Sequence, residues 1–229
     1  MESPAAQSPF LVRDCALSAY ATGLRAQNLR ELRDRLAEVS AASIYYHFWG
    51  SRLYPSFEHP EYPNMFAAWV HRSLHDHRLG ERLGIIDPMD FQDLEALRQE
   101  LIEVIEQRLE ETEVVAWSAP DDQFYFMHSR VVVFDTPRTI EHPTELAQVL
   151  ATLSPSSIFY HFIDARMRMP DLDDFRAWLI GYGDEFLDLV EALSTVDLFF
   201  VPLAELRQTL VDVVAAHFSG RLAQEAHHE

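Results

Sequence analysis

The chain contains one cysteine, Cys15, so no disulfide can form within it, and a packed thiol in a reducing compartment is the expectation. Basic residues are also scarce: 18 Lys and Arg stand against 37 Asp and Glu. The resulting formal charge of −19 repels phosphate backbones and anionic lipid, which removes nucleic acid and membrane surfaces from the expected partners. The cluster Arg25, Arg30, Arg33 and Arg35 does not alter this, because Glu31, Asp34 and Glu38 are interleaved with it as on a solvated helix face. No segment reaches the roughly 18 uncharged apolar residues that a bilayer crossing needs. The opening "MESPAAQSPF" lacks the basic and apolar regions of a signal peptide, so a cytoplasmic location is expected. CxxC pairs, a glycine-rich phosphate loop and a GxSxG elbow are likewise missing, and no cofactor is expected.

What the chain does have is apolar material and a repetition. Hydrophobic residues make up 48% and aromatic residues 12% of the 229, enough to bury a core. "SAASIYYHFWGSRL" at 40–53 returns as "SPSSIFYHFIDARM" at 154–167, with His47 and His161 separated by 114 residues. Upstream the same spacing relates Phe10 to Phe124, Thr22 to Thr136, Leu32 to Leu146 and Leu36 to Leu150. Downstream it becomes 109, relating Phe66 to Phe175, Trp69 to Trp178, and "LRQ" at 97–99 to "LRQ" at 206–208. The five extra residues of the first copy fall in or near the Pro-rich "YPSFEHPEYPN", which reads as loop. The reading is a tandem duplication: one repeat over 10–110, another over 124–218, and a linker at 111–123. The two copies either form separate domains or merge into one globular body. Two such units are expected to pack about an approximate two-fold axis.

Periodicity predicts a predominantly α fold with roughly four helices in each repeat. Leu29, Leu32, Leu36 and Val39 form one stripe, and Asn28 with Glu31 resembles a capping box. In the second copy Pro143 stands at the first helical position, where a missing N–H costs nothing. The signature segment is read as a second helix buried on most sides, although "SIYYHF" alone is short and aromatic enough for a strand. A third helix is expected over "NMFAAWVHRSLHDHRLGERL" and its counterpart "DDFRAWLIGYGDEFLDLVEAL". The fourth carries Leu94, Leu97, Leu101, Ile105 and Leu109, or Leu203, Leu206, Leu210 and Val214. "DQFYFMHSRVVVFDTP" reads as a strand, while its partner "LVRDCALSAYATG" is ambiguous, so each repeat is expected to contribute one short strand, at most two.

The segments "TGLRAQNLRELRDRL", "SIYYHFWGSRL" and "LEALRQELIEVIEQRLEE" resemble an uncharacterised bacterial domain family of unknown function. The resemblance covers both copies and implies no activity. Relatives beside or fused to glycosyltransferases imply an accessory role in sugar metabolism.

The duplicated polar residues are Ser43, Tyr46, His47 and Arg52, with Ser157, Tyr160, His161 and Arg166. One reading gathers them in a pocket, with histidine as an acid-base or ligand-orienting group and arginine gripping a carboxylate or phosphate. The other has the histidine and tyrosine tips satisfying buried partners and the arginine pairing with a neighbouring acid. Duplication favours the second, since folding constrains both copies while an active site commonly survives in one. His71 and His75 have the i, i+4 spacing of helical zinc ligands, although Arg72 stands where a zincin would carry its glutamate. The aromatic stripe Tyr45, Phe48, Trp49, Phe66 and Trp69 is read as core. The functional expectation is a non-catalytic binding or adaptor protein engaging a protein partner or small ligand, compatible with a homo-oligomer. The alternative is an enzyme using a His/Tyr/Arg pocket or a histidine-held metal.

Overall fold

A computed structural model describes residues 8–53, 62–111, 119–169, 171–199 and 201–228. Most of the Pro-rich segment 54–64 and most of the expected linker 111–123 lie outside them. In chain order the elements are β1 (Phe10–Ala26), α1 (Leu29–Glu38), α2 (Ala41–Leu53), α3 (Met65–Arg72), α4 (His77–Gly84), α5 (Leu94–Glu111) and β2 (Phe124–Ile140). There follow α6 (Leu146–Leu150), α7 (Pro155–Ile158), α8 (Ala165–Arg168), α9 (Asp174–Ile180), α10 (Leu187–Ser194) and α11 (Leu203–His228). The protein is mostly helical, with β1 and β2 paired as a small antiparallel sheet. No helix among the described residues is long and apolar enough to cross a membrane.

Local chemistry explains the helix boundaries. The Asn28 side chain accepts from Glu31 N at 2.9 Å, satisfying one orphan donor of α1, while Glu31 Oε2 accepts from Gln27 N, the residue before the cap, at 2.9 Å. Leu29, Leu32 and Leu36 are fully buried beneath it. Leu97, Leu101 and Ile105 of α5, and Leu203, Leu206, Leu210 and Val214 of α11, are buried at the spacing that the heptad-like pattern predicts.

The third helix expected over 64–83 and its expected counterpart over 173–193 are both broken. α3 ends at Arg72, His75 takes the left-handed φ of 56°, and buried Asp76 restarts the chain as α4 by accepting from Leu79 N at 3.1 Å. The second segment breaks after α9, where Gly183 has a φ of 71°, before a 3₁₀ turn leads into α10. The strands also differ from expectation: each is 17 residues long, and the ambiguous β1 is as extended as β2.

The chain divides into two compact units, and each strand is shared between them. Unit 1 joins residues 1–16 to 133–229, and unit 2 spans 17–132. The start of β1 thus belongs with the helices after β2, while the start of β2 belongs with the helices after β1. The repeat boundaries read from the sequence follow chain order; the compact units do not. In unit 1, Phe10 stacks on Phe175 with ring centroids 5.0 Å apart and tilts against Trp178 at 5.6 Å. In unit 2, Phe124 stacks on Phe66 at 5.2 Å and meets Trp69 edge-on at 5.5 Å. Both indoles donate to a carbonyl just before the strand, Trp178 Nε1 to Ser8 O at 3.0 Å and Trp69 Nε1 to Asp122 O at 2.7 Å. Within the sheet Thr136 Oγ1 donates to Val12 O at 2.6 Å in unit 1, and Thr22 Oγ1 to Phe126 O at 2.7 Å in unit 2.

Candidate functional site

The signature histidines have one task in common. Nε2 of His47 accepts the main-chain N–H of Met127 at 3.1 Å, and Nε2 of His161 accepts that of Arg13 at 2.8 Å. A backbone N–H can only donate, so each Nε2 is unprotonated and each neutral imidazole carries its proton on Nδ1. Both rings are buried, 2% exposed, and both bind the early part of a strand that does not lead into their own helix. Ser43, one turn before His47, donates to Met127 O at 2.6 Å, so serine and histidine together satisfy both polar groups of that residue. Ser157 instead hydrogen-bonds Ser154 Oγ at 3.0 Å, where Ser154 also binds Asp14 at 2.8 Å.

The two sites part at Nδ1. In unit 2, His47 Nδ1 lies 3.3 Å from Met65 Sδ, among the rings of Phe66, Phe124 and Phe126. Burial alone pushes this imidazole down to about 3, so it stays neutral at physiological pH. In unit 1, Nδ1 of His161 donates to Asp174 Oδ2 at 2.7 Å. Arg168 adds Nη2 to the same oxygen at 3.0 Å, binds Asp164 through Nε at 3.1 Å, and donates to Tyr160 O at 3.1 Å. Burial raises Asp174, while the hydrogen bonds from His161 and Arg168 and the charge of Arg168 outweigh it and leave the carboxyl below the usual range.

Backbone geometry differs as well. The first signature segment is an uninterrupted α-helix, whereas residues Phe159–Asp164 between α7 and α8 form a π-helical turn. Such wide turns rotate the following side chains and are frequent at functional sites. Here the turn carries Tyr160 and His161 toward a cavity of about 320 Å³ within unit 1. Phe10, Ala177 and Trp178 supply apolar wall, and Arg13, Tyr160, His161, Arg168 and Asp174 the polar wall. The guanidinium of Arg168 lies 4.4 Å from the ring centroid of Tyr160, and Tyr160 meets His161 edge-on at 5.0 Å, as Tyr46 meets His47 at 5.1 Å.

The remaining predicted residues lie elsewhere. Arg166 does not line the cavity; its guanidinium is 4.6 Å from the Phe162 ring and 3.6 Å from fully buried Asp173. Burial lowers its pKa, and among the described residues its Nε and Nη2 have no hydrogen-bond partner. Arg52 is half-buried at the end of α2. His71 and His75 do not share a helix face, because α3 ends between them; His75 Nε2 instead meets Asp121 at 2.9 Å, and His71 packs on His77 with centroids 4.2 Å apart. Among the described residues no group of three or more His, Cys, Asp or Glu is placed to hold a metal ion.

Sequence reasoning passed over Arg13, Arg168 and Asp174. Asp174 had a signal: under the spacing of 109 it falls opposite Met65, a carboxylate where the other segment has a thioether.

A solved structure described as "The structure of OrfY from Thermoproteus tenax" is similar, with 27% identity, 91% of this chain and 95% of that one covered, and a TM-score of 0.76. No curated protein matches. Residues 7–215 match the model of a family of unknown function (DUF5752), and the chain belongs to that family.

Proposed function

For a member of this family, we propose a non-catalytic binding protein that takes a small ligand in the cavity over His161. The carrying observation is that a cavity-lining imidazole has both nitrogens occupied, Nε2 by Arg13 N–H and Nδ1 by Asp174. Such a ring forms a fixed wall instead of a proton shuttle, because a general base needs a lone pair within reach of its substrate. Unit 2 keeps the strand-holding bond to Nε2 but pairs Nδ1 with Met65. We further propose that the chain is a tandem duplication with an approximate two-fold relation, whose copies exchanged their strand starts. The matched contacts of Phe10 and Phe124, Trp178 and Trp69, and Thr136 and Thr22 support this reading. On this view the histidine was retained in both copies for the strand, and the polar cavity developed in one.

A second reading is favoured by the 2.7 Å His161–Asp174 bond, since a carboxylate on Nδ1 is how many imidazole bases are oriented. It requires Arg13 N–H to leave Nε2 when substrate arrives, and any accessory part in sugar metabolism would fall under it.

Thermal-shift screening of fractionated cell extract against the wild type and Ala177→Phe tests the proposal, because the larger side chain fills the cavity without touching the histidine bonds. The expected result is a fraction that raises the wild-type melting temperature, leaves the variant unmoved, and returns its small molecule chemically unchanged. Consumption of that molecule by wild type but not by His161→Gln would transfer support to the enzyme reading. No stabilising fraction at all would remove the ligand.

A further inference from the structure

We infer that the cavity of unit 1 takes a small organic carboxylate with a flat apolar body, its charged end at Arg13 and Arg168 and its body on Phe10 and Trp178. This rests on the ligand-binding reading above and adds the chemical class. The apolar wall is preformed. Phe10 and Trp178 are held with centroids 5.6 Å apart, and the indole N–H is already bound to Ser8 O, so the ring offers a ligand only its apolar surface. Leu11, on the rim, is 57% exposed.

The polar wall offers donors and almost no acceptors. Both nitrogens of His161 are occupied, and Asp174 receives Arg168 on Oδ1 at 3.4 Å as well as His161 and Arg168 on Oδ2. Arg168 has five N–H groups, of which Nε and Nη2 serve Asp164, Tyr160 O and Asp174 while Nη1 makes one long bond, which among the described residues leaves an Nη1 N–H over. Arg13 binds Asp135 through Nε at 3.2 Å, and its charged form is favoured first by the Tyr160 hydroxyl and then by Asp135. Its side chain, 46% exposed, lines the cavity beside Tyr160. The unfilled capacity is therefore cationic and donating, which calls for an anionic acceptor.

Charge favours the smallest negative charge on that anion. Three carboxylates, Asp135, Asp164 and Asp174, flank the two arginines and the chain as a whole carries −19, so repulsion from the surroundings grows in proportion to the charge on the ligand, and direct guanidinium contacts offset it most readily for a monoanion. A carboxylate therefore fits better than a phosphate dianion, and its apolar body accounts for the aromatic wall. In unit 2 the strand residue on the histidine is Met127 and the Nδ1 neighbour is Met65, so neither charge of this arrangement recurs there.

The test uses three probes on the full chain: benzoate, its neutral isostere benzamide, and inorganic phosphate, followed through the indole N–H of Trp178 by NMR. Benzoate is expected to saturate and to bind at least about tenfold more tightly than benzamide, with phosphate weaker than both. Arg13→Gln, at an exposed side chain whose loss leaves the fold intact, should weaken benzoate about tenfold and leave benzamide unchanged. Arg168→Gln should do the same, though it also releases Asp164 and Asp174. Equal binding of benzoate and benzamide overturns the charge assignment while the ligand cavity stands. Phosphate at about pH 8, where it is mostly the dianion, binding as tightly as benzoate overturns the monoanion assignment, and no saturation by benzoate overturns the inference outright.

Discussion

Asp174 accepts the Nδ1 proton of His161 at 2.7 Å while the other face of that ring receives Arg13 N–H at 2.8 Å, so a carboxylate, an imidazole and a strand backbone are connected in series. The carboxyl of Asp174 is held below its ordinary value, and a carboxylate depressed on folding stabilises the fold above its unfolded pKa, about 4. That contribution is lost as pH falls through the lower folded value. Urea midpoints of the wild type should therefore drop below about pH 4, while Asp174→Asn should be less stable at pH 7 and show a shallower acid decline. Parallel curves for the two proteins would separate Asp174 from acid stability.

His47 makes the opposite test of the same ring. Its folded value of about 3 lies under the unfolded value near 6.5, so its neutral form contributes fully above about pH 6.5. Between there and pH 3 the unfolded state binds a proton that the native state refuses, and stability should decline by up to about 1.4 kcal/mol per pH unit. The His47 ring resonances should stay flat from pH 7.5 to 5. His47→Gln should lose stability at pH 7 and lessen the slope between pH 6.5 and 4.5. A His47 titration with a midpoint near 6.5 would contradict its burial.

The same contrast marks what could be read from the chain. The α1 and α5 stripes and the Asn28 cap were legible because each depends on residues within a turn or two. The break before α4 was not, since it depends on Asp76 capping Leu79 N and on His75 entering a left-handed φ, neither visible in the apolar stripe of Phe66, Trp69, Val70 and Leu74. The destination of Phe10 was not legible either. Phe66 and Phe175 offer it nearly the same aromatic slot, and sequence similarity between the slots removes the information that would choose. The π-helical turn at Phe159–Asp164 has no single-residue signature, so the cavity it serves stayed hidden while its histidine stood out.

Arg98 is a buried charge that the repeated "LRQ" concealed. Its Nη1 donates to Leu36 O and, at 2.6 Å, to Val39 O, closing the carbonyl end of α1, while Nε binds Glu95 at 2.8 Å. Arg207 does likewise to Leu153 O at 2.8 Å. Arg98→Met leaves two carbonyls without their donor and should cost about 3 kcal/mol in urea unfolding. Arg98→Lys should recover only part, because one ammonium cannot reproduce the fork.

Cys15 should be inert in the native state. Burial first, then the charges of Asp164 and Asp14, push its thiol up to about 12, and Sγ lies 3.4 Å from Ser156 O. The thiolate is the reactive species, so a disulfide reagent at pH 8 should react slowly with native protein and at the ordinary rate in urea. Fast native labelling would place the start of β1 away from unit 1.

Phe10 gives the most direct check of the strand exchange. It is 7% exposed and packed against His161, Phe175 and Trp178, whereas the helices that follow it in sequence, α1 to α5, belong with Phe124. Phe10→Ala should cost about 3 to 5 kcal/mol through the cavity it leaves. Hydrogen exchange should quicken first in α9 to α11 of unit 1, with α1 to α5 still protected. Phe124→Ala should give the mirror result, loosening α1 to α5 and sparing α9 to α11. Were Phe10→Ala to loosen α1 to α5 first, each strand start would belong with its own helices, and the imidazoles would have some task other than holding the strand that comes from the other half of the chain.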